Sequence, residues 1–254
     1  MSAKIQPSSG GFRMLLVCHG VLYEHAPVTE PLSKVGGNPV LYEPIEWPTC
    51  CKCGRQMHFL AQLRLDTPMA LLAWPAMAYL FTCPDQYGNE PIRDCRPWEP
   101  GGGANAIIIQ QASDDPRCEP GKPAYPERLL AFRTASEVLP DDPDDPLIDL
   151  PAIFPNAMPM RCTKIGGAPT WLKRRQPPAC PCCGRDTVFF AQLAASLDAY
   201  RPSIPELWPD ADCILPHKED LPFGDGGMAY VFVCSSNCGP NGAALLWQTP
   251  PPGH

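Results

Sequence analysis

Four thiols near the C-terminus stand in two close pairs, Cys180-x-x-Cys183 and Cys234-x-x-x-Cys238, out of fourteen cysteines in all. Cys50-x-x-Cys53 repeats the first pair earlier in the chain, where Cys83 and Cys95 follow it with eleven residues between them. Soft thiolates at such spacings suit tetrahedral zinc, with two ligands from each of two loops and no position left open for substrate. Zinc is therefore expected at Cys180, Cys183, Cys234 and Cys238, and a second zinc at Cys50, Cys53, Cys83 and Cys95. The wide Cys83/Cys95 spacing raises the entropy of closing the loop, so a decayed site of simply buried cysteines is the alternative there. Thiol–disulfide catalysis is a third reading of C-x-x-C. It requires a low-pKa thiolate, typically at a helix N-terminus, whereas both knuckles lead into β-like runs. Cys51 and Cys182 lie inside the knuckles at different positions, and Cys18, Cys118, Cys162 and Cys213 have no partner by spacing.

The elements that must bring these thiols together come as an internal duplication. At a constant offset of 130, Lys34, Gly36, Gly37, Pro39, Pro48, Cys50, Cys53, Gly54, Arg55 and Gln62 return as Lys164, Gly166, Gly167, Pro169, Pro178, Cys180, Cys183, Gly184, Arg185 and Gln192. So many identities at one spacing mark a repeat. Strands are expected over residues 57–65, 78–83 and 106–109 in the first copy, and over 187–193, 229–234 and 243–248 in the second. Residues 129–133 are read as a strand opening the second copy. If the strand after each knuckle pairs antiparallel with the next, the start of one lies beside the end of the other and four thiols converge. Between its two shared blocks the second copy holds 21 more residues than the first, the offset growing from 130 to 151. The fold predicted is α+β but mostly β: two related β-rich halves packed with pseudo-twofold symmetry, each with a zinc-ribbon-like knuckle. Residues 1–12 are a loose N-terminus, 13–111 the first half, 112–126 a proline-rich linker, and 127–254 the second half with a long inserted loop near 194–227.

Composition narrows the function. There are 35 prolines in 254 residues, against the roughly 5% usual in proteins, which favours short elements and irregular connections over long helices. The net charge of −7 disfavours non-specific nucleic-acid binding, which depends on neutralising phosphates, and can favour a basic partner. Met14-Leu15-Leu16-Val17 is too short an apolar run for a signal peptide, and no stretch approaches the ~20 apolar residues of a membrane span. A reducing cytoplasm is the expected location, where paired cysteines bind metal more often than they form disulfides.

Catalytic signatures are missing: no G-x-x-x-x-G-K-[ST], no G-x-S-x-G and no H-E-x-x-H occurs. Gly101-Gly102-Gly103 lacks a following Lys-Ser/Thr and reads as a turn. His58 reads as a strand-surface residue, and His217, beside Glu219 and Asp220, as an ordinary loop histidine. Gln62 and Gln192, polar within apolar strands, read as structural hydrogen-bonders. Lys34 and Lys164 read as exposed lysines capping a turn, with anion binding as the alternative.

At Lys164-Ile165-Gly166-Gly167-Ala168-Pro169-Thr170-Trp171-Leu172, Cys180 to Cys183, Gln192 and Tyr230 to Cys238, the sequence resembles the bacterial YwqG-like family of unknown function. It is similar as well to that family's eukaryotic relatives, the programmed-cell-death-protein-2 family. The first copy departs from the pattern at Val40-Leu41 and in the split Cys83/Cys95 pair. The resemblance implies a mostly β fold of two related halves and no known enzymatic activity. Eukaryotic relatives act as chaperones for a small-subunit ribosomal protein, and some bacterial relatives sit beside toxin genes. The function expected is thus a non-enzymatic, zinc-stabilised module that binds a basic protein, as client or as toxin, with no nucleic acid and no membrane. Asp141, Asp142, Asp144, Asp145, Glu219 and Asp220 are the acidic groups expected to steer that partner. The alternatives are an uncharacterised enzyme with a cleft between the halves and a nucleic-acid-associated zinc protein.

Overall fold

The computed structural model describes residues 12–22, 27–65, 75–85, 95–138, 162–195, 221–224, 226–236 and 238–250. The six acidic residues expected to meet a partner, together with His217, Cys213 and most of the inserted loop, lie outside the described residues.

The protein is mostly β, and among the described residues there is no α-helix. The strands are β1 (Phe12–Leu22), β2 (Lys34–Val35), β3 (Val40–Leu41), β4 (His58–Arg64), β5 (Ala76–Thr82), β6 (Asn105–Gln111) and β7 (Arg117–Cys118). They continue as β8 (Arg128–Val138), β9 (Lys164–Gly166), β10 (Thr187–Ala194), β11 (Met228–Cys234) and β12 (Ala243–Gln248). Ten of them form one sheet in the order β12-β11-β10-β9-β1-β8-β2-β4-β5-β6, and β3 pairs with β7. The two central strands are crossed between the halves. β1 pairs with β8 along its whole length and with β9 of the second half, whereas β8 pairs with β2 of the first. Each half therefore completes its sheet on a strand from the other. Segment 112–126 is held against the first half, through the β3–β7 pairing and the Gly37 N–H donated to Tyr125 O at 3.0 Å.

The near-continuous apolar runs of β5 and β11 follow from burial on both faces. Ala76, Ala78 and Leu80 of β5, with Ala229, Val231 and Val233 of β11, join a single core that draws on both halves. The alternate residues Met77, Tyr79 and Phe81 pack in a second cluster under the first knuckle, and Met228, Tyr230 and Phe232 in a third. Fully burying such a side chain is worth ~1.5–3 kcal/mol, so these strands are anchored from two sides.

The glycine pair that precedes each knuckle has a definite task. Gly36 has φ +61°, and a Cβ there would lie 2.0 Å from the Pro126 carbonyl oxygen. Only glycine lets the turn press against the segment that leads into β8. Gly166 and Gly167 likewise have φ of +79° and +74°.

The repeated glutamines make the same bonds. Gln62 Oε1 accepts from Val40 N at 2.9 Å and its Nε2 donates to Leu32 O at 2.8 Å. Gln192 Oε1 accepts from Thr170 N at 2.9 Å and its Nε2 donates to Cys162 O at 2.9 Å. Tyr79 donates its hydroxyl to Val40 O at 2.7 Å, and Tyr230 donates to Thr170 O at 2.6 Å. The ladders of β4 and β10 slip at matching places, after Phe59 and after Phe189. Gln62→Leu and Gln192→Leu are each expected to orphan a buried N–H and a carbonyl, at about 1–3 kcal/mol per group left unpaired. Urea denaturation should show similar falls in midpoint for the two variants. A near-neutral effect at one of them would remove the equivalence of their roles.

The lysines depart from expectation. Lys34 and Lys164 are fully buried, not exposed caps. Lys34 Nζ is ion-paired with Glu127 and donates to Asn38 O at 2.7 Å. Lys164 Nζ reaches Thr170 Oγ1 at 3.4 Å. The reason lies in register. Lys34 stands opposite Gln62 and Lys164 opposite Gln192, so each lysine occupies a short strand in the interior of the sheet.

Candidate metal centres

Each C-x-x-C lies at the tip of a tight hairpin. Thr49 bridges to Gln56, Cys50 N–H bonds to Arg55 O at 2.8 Å and Gly54 N–H returns to Cys50 O at 2.8 Å. The second tip repeats this, with Ala179 bridged to Asp186, Cys180 N to Arg185 O at 2.8 Å and Gly184 N to Cys180 O at 2.9 Å. Gly54 and Gly184 close the turns at φ +70° and +72°, conformations that side chains other than glycine's rarely allow. β4 and β10 leave these tips and run antiparallel to β5 and β11, which places His58 opposite Thr82 and Thr187 opposite Cys234. The start of one strand thus meets the end of the next, as the spacing requires.

All eight expected ligands come together as two groups of four, Cys50, Cys53, Cys83 and Cys95, and Cys180, Cys183, Cys234 and Cys238. Within each group the sulfurs lie within 4.8 Å of one another. The closest approaches are Cys53–Cys83 at 3.5 Å, Cys183–Cys234 at 3.6 Å and Cys234–Cys238 at 3.5 Å. Four sulfurs at ~2.3 Å from a tetrahedral ion stand about 3.8 Å apart, so both groups have the spacing a metal ion needs. The wide separation of Cys83 and Cys95 in sequence does not prevent their convergence.

A backbone N–H supports one sulfur at the strand end of each group. Asp85 N–H points to Cys83 Sγ at 3.4 Å, and Ser236 N–H to Cys234 Sγ at 3.3 Å. In the first group burial pushes the Cys83 thiol well up and Cys95 up to about 11. Burial also opposes ionisation of Cys53, but the Arg55 backbone N–H and the neighbouring thiols outweigh it and hold Cys53 below its ordinary value. In the second group burial is again opposed at Cys234, by the Ser236 N–H and the thiols of Cys238, Cys180 and Cys183, which bring it down to about 6. Cys238 is driven up by its bonds to Cys183 and Cys234. Adjacent thiols cannot all ionise without a cation between them, and a metal ion supplies that charge.

The groups differ in exposure. Cys50, Cys83 and Cys95 are buried and Cys53 half-buried, whereas Cys183 is exposed and Cys238 half-buried. Cys51 and Cys182 are exposed and belong to neither group, as do Cys118 and Cys162.

One further pair of residues and one single residue escaped the sequence reading. Gln110 of β6 clasps loop 42–43, its Oε1 accepting from Tyr42 N at 2.9 Å and Glu43 N at 3.2 Å. Gln248 of β12 clasps 172–173 in the same way, accepting from Leu172 N at 3.0 Å and Lys173 N at 2.9 Å. Their signal was a glutamine recurring near the end of matched apolar strands. Glu127, the partner of Lys34, had no signal of its own in the sequence.

No family model matches this chain, and no curated protein matches it. No helix among the described residues is long and apolar enough to cross a membrane.

Proposed function

We propose that this protein is a zinc-stabilised, non-catalytic module that binds a basic polypeptide, as a chaperone binds a client or an immunity protein a toxin. The observation that carries the reading is the pair of closed four-thiol groups, each tying a hairpin tip to the far end of a neighbouring strand. Zinc is the metal of choice for four thiolates around one ion, and a site so filled stabilises structure and keeps no position for substrate. The recurrence of the knuckle, the clasping glutamines and the buried lysines supports descent from an internal duplication, with each tip a zinc-ribbon-like knuckle. The resemblance to the YwqG-like and programmed-cell-death-protein-2 families fits the same reading, as do reduced thiols in a cytoplasmic setting. The net charge of −7 supports a cationic partner.

Two measurements test it. Elemental analysis of protein purified without a polyhistidine tag should find one to two zinc per chain, and metal at background level would end the metal assignment. Capture from native extract should return one stoichiometric basic protein, with an on-rate that falls as salt rises. Changing Asp141, Asp142, Asp144 and Asp145 to asparagine should slow association further. An acidic partner, or bound nucleic acid, would replace this reading.

A further inference from the structure

The edge strands β6 and β12 face each other across the ends of the sheet without a ladder between them. Loop 95–104 of the first half bridges one end of this seam. Trp98 O accepts from Trp247 N at 3.3 Å, and Asn105 Nδ2 donates to Leu245 O at 3.1 Å. That bridge has nine residues between Cys95 and β6, whereas only four separate Cys238 from β12. The shorter turn, a single 3-10 turn at Gly239–Asn241, packs against β6 at the opposite end. There a cavity of about 460 Å³ lies between loop 43–46, β6 and that turn. Half-buried Ile45 and Ile108 give it an apolar lining, exposed Pro240 and Asn241 stand on the second-half side, and among the described residues its charges are the exposed Glu43 and Glu46.

The sign of that charge is not imposed by the fold. The loop clasped by Gln248 is built like the one clasped by Gln110, yet it carries Lys173, Arg174 and Arg175, all exposed, where the first half has Glu43, Pro44 and Ile45. The clasp accepts either sign, and beside the cavity it carries acid.

We propose that this cavity is the docking site for an extended, lysine- or arginine-bearing segment of a protein partner, an inference that rests on the protein-binding reading above. An extended segment fits the space between loop 43–46, β6 and the Gly239–Asn241 turn, where its side chains reach both walls. Its apolar side chains meet Ile45 and Ile108 while its cations meet Glu43 and Glu46. A phosphate-bearing ligand would be repelled by both carboxylates. Because the Gly239–Asn241 wall follows directly on Cys238, filling the second thiol group with metal fixes one side of the site.

The test uses the full chain, labelled with ¹⁵N, and a capped eight-residue peptide that alternates lysine with valine. Amide shifts are expected at Glu43, Ile45, Glu46, Ile108, Ile109, Gln110, Gln111, Gly239 and Asn241, with none from the same peptide carrying glutamate for lysine. The double variant Glu43→Lys/Glu46→Lys should raise the Kd roughly tenfold or more at low salt. Asn241→Trp, which fills the cavity without altering charge, should weaken binding to a similar degree. Glu30→Gln, at an exposed carboxylate that does not line the cavity, should leave the Kd within about twofold. No shift at millimolar peptide, shifts elsewhere, or equal weakening by Glu30→Gln overturns the proposal. If wild type and Glu43→Lys/Glu46→Lys capture the same basic protein equally well from extract, the cavity assignment fails while the protein-binding reading stands. If wild type captures no basic protein, that reading fails instead, and the peptide shifts alone decide the cavity.

Discussion

Cys83→Ser is expected to abolish metal binding at the first group and to be among the most damaging single substitutions in the chain. Cys83 is fully buried, sits at the end of β5 and accepts the Asp85 N–H, so a serine there offers a poor ligand with no water to compensate. Structural zinc sites carry apparent binding free energies of ~10–16 kcal/mol, whereas whole domains are stable by only ~5–15 kcal/mol. Loss of one site therefore removes most of the margin. The expected readout is one metal fewer per chain and a thermal transition lowered by tens of degrees or absent. The same comparison sets the order of loss under a chelator. Cys183 is exposed and Cys238 half-buried, while three of the four first-group thiols are buried. Metal should leave in two phases, the faster from the second group, and Cys183→Ser should eliminate the fast phase. A Cys83→Ser protein that keeps both metals and its transition temperature would sink the structural role assigned to the first group.

Both four-thiol groups were legible in the sequence because their cysteines are local in pattern and their strands strongly apolar. The knuckle fixes two thiols within four residues, and an antiparallel pairing of the following strands is enough to deliver the other two. β4, β5, β6, β10, β11 and β12 all fall where apolar runs between turn residues place them. β1 was less legible. Only Met14-Leu15-Leu16-Val17 stood out from the run Phe12–Leu22, and a strand whose partners lie more than a hundred residues away leaves no mark in local pattern. The crossed pairing of β1 and β8 is a tertiary fact of the same kind. The lysines were misread for a related reason. A charged residue beside a double glycine suggests an exposed turn, and nothing in its own neighbourhood announces that Glu127 stands ready to pair with it. The recurrence of Lys34 as Lys164, each followed by a β-branched residue, was the available clue. A lysine recurring at the same offset as a pattern of core positions is more consistent with a buried role than with solvent exposure.

That buried pair supports the second large expected effect. Lys34 Nζ is ion-paired with Glu127 Oε1 and also donates to Asn38 O at 2.7 Å and Val28 O at 3.4 Å. Glu127 Oε2 in turn accepts the Val28 N–H at 2.9 Å, so the carboxylate is fixed at both oxygens. Glu127 stands directly before β8, the strand that pairs with β2 on one side and β1 on the other. Glu127→Ala leaves a fully buried ammonium with neutral acceptors alone, and breaking one side of such a pair costs ~3–5 kcal/mol. Lys34→Met should cost less, because the Glu127 side chain keeps 15% of its exposure and the Val28 N–H as donor. The double variant Lys34→Met/Glu127→Ala, which buries no unpaired charge, should be more stable than Glu127→Ala alone. Urea denaturation of the wild type and the three variants at fixed metal content gives the coupling directly. Costs that simply add would mean that the two side chains act independently, and the pairing would then contribute nothing to holding β8 between the two halves.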